Sequence, residues 1–192
     1  MRFPFLFILF ITWLQPCIAQ TFGLRVGGNI AWQVWQQQNL RVTPEQIFAP
    51  HIGISVTSVQ LKKLASQIEA SYSIIGHGGY SDANGSVDPD RLKFISIGLL
   101  AKFHPERNFN ILAGPQVSFF VGNKDYLGKD DFAVVMGAEY YFSDVVGIGA
   151  RYNLGITNLI EDNRDIFKQR SRVIQFSILF RLPGHQLNEH GF

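Results

Sequence analysis

Eight stretches of the chain alternate between apolar residues and small or polar ones with a period of two, and that period sets what the chain can fold into. In residues 22–34 one parity reads Phe22, Leu24, Val26, Gly28, Ile30, Trp32, Val34, and the other reads Gly23, Arg25, Gly27, Asn29, Ala31, Gln33. The pattern recurs in residues 52–60, 64–74, 92–103, 108–121, 131–142, 145–157 and 172–182. Successive side chains of a strand leave opposite faces, so a period of two gives each strand one apolar face. A helix needs apolar residues at i, i+3 and i+4, and that recurrence is missing here.

Charge follows the same parity. Arg25, Glu69, Lys102, Glu139, Arg151 and Arg181 all fall on the small, Gly-rich face of their stretch, and the eight apolar faces, such as Ile95, Ile97, Leu99, Ala101 and Phe103, are read as free of charge. A charge held against lipid at mid-membrane costs about 2–4 kcal/mol. The pattern therefore predicts strands with the apolar face in hydrocarbon and the charged face inside. Composition agrees. Charged residues make up 17% and aromatics 14%, against roughly 25% charged in a typical soluble domain. A formal charge of +2 gives no basis for binding nucleic acid.

The first nineteen residues read as a cleavable signal peptide. Met1 and Arg2 open it, residues 3–14 are apolar apart from Pro4 and Thr12, Pro16 breaks the run, and Cys17 and Ala19 place small residues before a cleavage point at Gln20. A run of this length suits a secretory core and is too short to span a bilayer as a helix. A lipidated Cys17 needs small residues ahead of it, and Leu14, Gln15 and Pro16 do not supply them. Loss of Cys17 with the signal leaves a mature chain with no cysteine, hence no disulfide framework. Residues 20–182 then form the barrel and residues 183–192 a short tail.

Connections between the stretches alternate in length. Long ones span residues 35–47, 76–90, 122–130 and 158–169; short ones lie at Lys62 and Lys63, at residues 104–108, and at Ser143 and Asp144. Outer-membrane barrels have short periplasmic turns and longer extracellular loops, so both termini are expected in the periplasm. Strands in lipid must close on themselves to satisfy every backbone group. The predicted fold is all-β: an eight-stranded antiparallel up-and-down transmembrane β-barrel, with an interior that side chains can fill. Trp32, Trp35, Tyr72, Phe103, Phe109, Phe132, Tyr140 and Phe142 suit interfacial girdles. Pro115 has no N–H for the ladder and predicts a bulge or local irregularity.

Several words of the sequence resemble the PorT-like outer-membrane β-barrel family of Bacteroidetes-type bacteria. They are Leu112-Ala113-Gly114-Pro115, Gly137-Ala138-Glu139-Tyr140-Tyr141-Phe142, residues 149–158, and Ile97-Gly98-Leu99-Leu100-Ala101-Lys102, where the family often has Pro at the position of Gly98. The resemblance spans most of the mature chain. It implies an eight-stranded outer-membrane barrel, no catalytic residues, and, through the PorT branch, an association with protein secretion. Its partners would be outer-membrane lipids, periplasmic chaperones, the barrel-assembly machinery and secretion-system components. Such barrels usually end on an aromatic residue of the last strand; here Phe192 follows a polar stretch and Phe180 lies within the strand.

Other chemistry is weakly coded. The oxygen-rich loop at residues 81–90 collects ligands of the type calcium takes, but Gly85 is misplaced for an EF-hand and the loop is read as solvated. Asn84-Gly85-Ser86 matches a glycosylation acceptor. His51, His77, His104, His185 and His190 show no ligand spacing, so no metal or cofactor is expected. Gly76-His77-Gly78-Gly79 lacks the Lys-Ser/Thr of a phosphate loop, and no nucleophile elbow frames a serine; the chain is read as not an enzyme. The six inward charges are read as a packed salt-bridge network that plugs the lumen. The leading function is a structural or interaction role. A narrow pore would differ in bilayer conductance, and a soluble lipocalin-like barrel in needing no detergent.

Overall fold

The computed structural model describes residues 20–37, 40–42, 45–61, 63–82, 85–87, 90–121, 130–157 and 167–182. The signal-peptide reading of residues 1–19 and the tail at 183–192 lie outside them. The elements are β1 (Gln20–Gln37), β2 (Leu40–Val42), β3 (Ile47–Leu61), β4 (Leu64–His77), β5 (Tyr80–Asp82), β6 (Gly85–Val87), β7 (Asp90–Glu106), β8 (Phe109–Phe120), β9 (Asp131–Tyr141), β10 (Val146–Gly155) and β11 (Phe167–Leu182). One sheet runs β11-β10-β9-β8-β7-β4-β3-β1-β2, and β11 also pairs with β1. Setting β2 aside as a short addition to the end of β1, eight strands close into an antiparallel up-and-down barrel. The closing ladder runs unbroken from Phe22 opposite Leu182 to Gln37 opposite Phe167. No described helix is long and apolar enough to cross a membrane; the strands make the crossing.

Parity becomes facing. Phe22, Leu24, Ile54, Ile97, Met136, Ile148, Phe176 and Ile178 lie exposed on the outer wall, whereas Arg25, Asn29, Gln67, Glu69, Lys102, Glu139, Arg151 and Gln175 are buried inside. Exposed apolar surface on this scale is an interaction surface by nature, and a wall that surrounds the barrel matches hydrocarbon. Aromatic pairs sit near both ends of that wall. Trp32 and Tyr152 stand 6.4 Å apart towards the long-loop end, and Tyr140 and Phe142 stand 5.5 Å apart at the short-turn end. The side chain of Trp35 lies outside the described residues.

Two sequence expectations are corrected and a third is met. First, the outward parity is not free of charge over the full stretches read from sequence: Lys93 and Arg172 share it with Ile95 and Ile174. Both lie towards the long-loop end of their strands. Arg172 Nη1 donates to the carbonyls of Gly155 and Ser171, each at 2.8 Å, and long basic side chains at such a boundary reach polar groups. Second, the wall continues into segments assigned to loops. β1 runs on to Gln37 with β2 folded against it, β11 begins at Phe167, and β5 and β6 form a hairpin whose side chains, with the proposed oxygen ligands, lie outside the described residues. Third, Pro115 brings the local irregularity expected of it, in the form of missing rungs and not of a bulge. The β7–β8 register is the same on both sides of it, from Gly98 opposite Gln116 to Ala101 opposite Ala113, while Leu99 and Leu100 drop out of the ladder. The missing N–H removes rungs, and pairing to β9 through Pro115 opposite Val134 holds the strand in place. Register shifts occur elsewhere, between Val59 and Leu61 and between Phe103 and Glu106, beside short turns.

Those turns are tight. Ser143 Oγ accepts from the amides of Val145 and Val146 at 3.3 and 3.0 Å, a local side-chain bond of the kind that favours turns. Arg107 and Asp144 pair across neighbouring turns at 3.5 Å in open solvent.

Candidate functional site in the barrel interior

A barrel of eight strands has a lumen about as wide as its own side chains, so its function turns on what fills it. Five of the six inward charges meet. Glu139, from β9, accepts from Arg25 of β1 at 2.6 Å, lies 2.7 Å from Lys102 Nζ of β7, and lies 3.2 Å from Arg151 Nη2 of β10. Glu69, from β4, takes Arg151 Nη1 on both oxygens at 2.8 and 2.7 Å, and Arg25 Nε is 3.8 Å away. Gln67 extends the network: its Oε1 accepts from Lys102 Nζ at 3.1 Å and its Nε2 donates to Glu69 at 3.1 Å. Side chains from five strands thus meet across the axis. Two-pronged guanidinium contacts fix geometry as well as charge.

The sixth charge sits apart. Arg181, near the short-turn end of β11, lies over the Tyr141 ring, 3.8 Å from its centre, a cation–π contact. The space for Arg151 comes from Gly137 on the facing strand, where a Cβ would come within 2.6 Å of Arg151 Cγ and of the Ala150 carbonyl. The glycine-rich inner parity is therefore a clearance requirement for the guanidinium beside it.

Above the charges, towards the long loops, the filling changes. Gln175 Nε2 donates to Asn29 Oδ1 at 3.0 Å, and Asn29 Nδ2 donates to the Ile74 carbonyl at 3.2 Å. Ser96 and Ser118 bond at 2.8 Å. Ala31, Ile47 and Val173 form a small apolar cluster with Ile75 against it, and Phe94 packs edge-on against Phe120 at 5.7 Å. Two voids in this half hold about 10 Å³ each, about the room for one water. Below the charges, at the short-turn end, a larger cavity of about 120 Å³ is lined by Arg25, Lys102, Arg181, Thr57 and Tyr141 among others.

Sequence reasoning missed two interior groups. Asp131, at the start of β9, shares the inward parity of Glu139 and is buried, with Ser171 donating to it; it is the first residue of the 131–142 stretch, and its parity was the signal. His51 is buried with its Nε2 2.9 Å from Ser177 Oγ. That juxtaposition of β3 and β11 across β1 has no local signal. His51 Nδ1 has no partner among the described residues, so the pair lacks the carboxylate that orients a catalytic imidazole. Among the described residues, no group of three His, Cys, Asp or Glu side chains is placed to hold a metal ion.

Comparison with known proteins agrees with the fold. The family model described as outer membrane protein beta-barrel domain matches residues 4–180. No curated protein matches the sequence. Among solved structures, the attachment invasion locus protein Ail of Yersinia pestis is similar at a TM-score of 0.52 and 10% identity, over 85% of this chain and 99% of that one. Its complex with the heparin analogue sucrose octasulfate matches at 0.50 and 11%, over 85% and 99%. Neisserial surface protein A matches at 0.48 and 18%, over 84% and 96%. At such identities the likeness shows the fold alone. A closed eight-stranded barrel with lipid outside and charge inside, matched over nearly its whole length, belongs to the outer membrane protein beta-barrel domain family, and its place is the bacterial outer membrane.

Proposed function

We propose that this barrel is a non-conducting, non-catalytic outer-membrane protein whose role is structural and interactive. The observation that carries the reading is the crossing of the lumen by Arg25, Glu69, Lys102, Glu139 and Arg151, with only single-water voids described above them. An ion entering from the short-turn side would have to break paired charges that hold one another in place, and removing one partner of a buried pair costs about 3–5 kcal/mol. The strands that continue past the apolar band, β1 with β2 and β11 from Phe167, raise a wall above the outer leaflet that suits display to a partner. Outer-membrane lipids, the chaperones and assembly machinery that insert the chain, and a secretion-system component are the partner classes in this reading.

Two experiments test it. Refolded protein in a planar bilayer should pass no unitary current; discrete, reproducible conductance steps would replace the plug with a pore. Crosslinking in intact cells from residues on the β1–β2 extension should capture a discrete protein partner. Capture of lipid-exposed neighbours at random would leave a purely structural role.

A further inference from the structure

Charge inside the short-turn half of the lumen does not balance. Arg25, Lys102, Arg151 and Arg181 face Glu69 and Glu139, four cations against two carboxylates. Asp131 lies in the other half, bonded to Ser171. Excess charge enclosed by a low-dielectric wall is costly unless an opposite charge joins it. The cavity of about 120 Å³ lies where the excess is, lined by the cations Arg25, Lys102, Arg107 and Arg181, by one carboxylate, Glu139, which is already paired with Arg25, Lys102 and Arg151, and by hydroxyl-bearing side chains such as Ser55, Thr57 and Tyr141. Three features separate it from a simple void. Arg25 is only 5% exposed, yet its Nη1 has no acceptor among the described residues. Arg181 has no carboxylate partner among them; it lies over the Tyr141 ring and hydrogen-bonds that side chain, and a guanidinium has five N–H donors to share. The volume is many times that needed for one water, enough for a tetrahedral oxyanion with its hydration.

We propose that this vestibule is an oxyanion site that takes a phosphate group from the periplasmic side. Arginine forks match the oxygens of phosphate two at a time, and a lysine adds a point charge. Arg25 and Arg181 reach the site from neighbouring strands, β1 and β11, with Lys102 across from them. A spherical anion gains nothing from the forks, so the site selects oxyanions over halide. The group is free phosphate or the phosphate of a lipid headgroup or soluble ester; the chemistry is shared. Binding would complete the neutralisation that Glu69 and Glu139 begin.

The test uses the refolded barrel in zwitterionic detergent, titrated with inorganic phosphate by calorimetry and by phosphorus NMR line width, with chloride as the comparison ion. Saturable one-site binding, preferred over chloride by at least tenfold, is expected. Arg181→Gln should weaken it at least tenfold while leaving the strand circular dichroism and the heat-shifted gel mobility of the folded barrel unchanged. Arg25→Gln should do the same where it folds; Arg181, at the edge of the charged network, keeps the test valid where it does not. No saturable binding up to about 10 mM, an affinity too weak for a built site, overturns the proposal, as does binding that Arg181→Gln leaves unaltered. Native mass spectrometry of protein extracted from membranes separates the sources. A phospholipid-sized adduct lost in Arg181→Gln assigns the headgroup, and its absence alongside phosphate binding assigns the free ion.

Discussion

The two halves of the lumen are built on the same eight strands and filled by different chemistry. The short-turn half holds Arg25, Glu69, Lys102, Glu139 and Arg151 in direct ion pairs. The long-loop half holds amides, hydroxyls and a small apolar cluster around Val173. Neutral groups that pair locally tolerate loss of a neighbour, because an unpaired amide costs about 1–3 kcal/mol. A charge network does not, because each carboxylate serves more than one cation. The comparison places the plug in the lower half and a softer packing above it, and substitutions can separate the two.

The largest effect is expected from Glu139→Ala, which removes the carboxylate shared by Arg25, Lys102 and Arg151 and leaves Glu69 alone to balance them. Equilibrium unfolding by urea in detergent should show a loss of about 3–5 kcal/mol, and the variant is the one most apt to conduct. A loss below about 1 kcal/mol would mean that the lower half is solvated and the contrast false. Next, Ile178→Arg places a charge on the exposed outer wall and should cost about 2–4 kcal/mol by the same unfolding measurement in bilayers. A smaller loss in detergent than in lipid is expected, since detergent lets the side chain reach water.

Asn29→Ala, in the upper half, should cost about 1–3 kcal/mol by leaving Gln175 without its acceptor. It should leave a silent bilayer silent, since the ion pairs below are intact; current through this variant alone would move the plug upward. The smallest effect belongs to Arg107→Ala. Its partner Asp144 sits across two exposed turns at 3.5 Å, and a stability change within about 0.5 kcal/mol is expected. A larger change would mark the turns as coupled to the vestibule they border.

Much of this was legible in the sequence because a membrane barrel leaves little freedom. Hydrocarbon on one side forces Ile95, Ile97 and Leu99 onto one parity, and the narrow lumen forces Gly137 opposite Arg151. What was not legible falls where those constraints lapse. Gln36 and Gln37 carry no apolar alternation in the sequence, yet the ladder with β11 continues through them. The pairing of His51 with Ser177 reaches from β3 to β11 across β1, and no local spacing encodes it. The cavity at Arg181 is a property of what neighbouring side chains leave empty, so a one-dimensional pattern contains the charges but not the space between them.

The facing of the strands is tested most directly by placing a spin label at each position of β10 in turn, from Val146 to Gly155, in lipid bilayers, and measuring relaxation by dissolved oxygen, which concentrates in hydrocarbon. Labels at positions 148, 150, 152 and 154 should relax fast and those at 147, 149, 151 and 153 slowly, a clean two-residue oscillation in step with the apolar parity. A flat profile, or one with the opposite phase, would contradict the account.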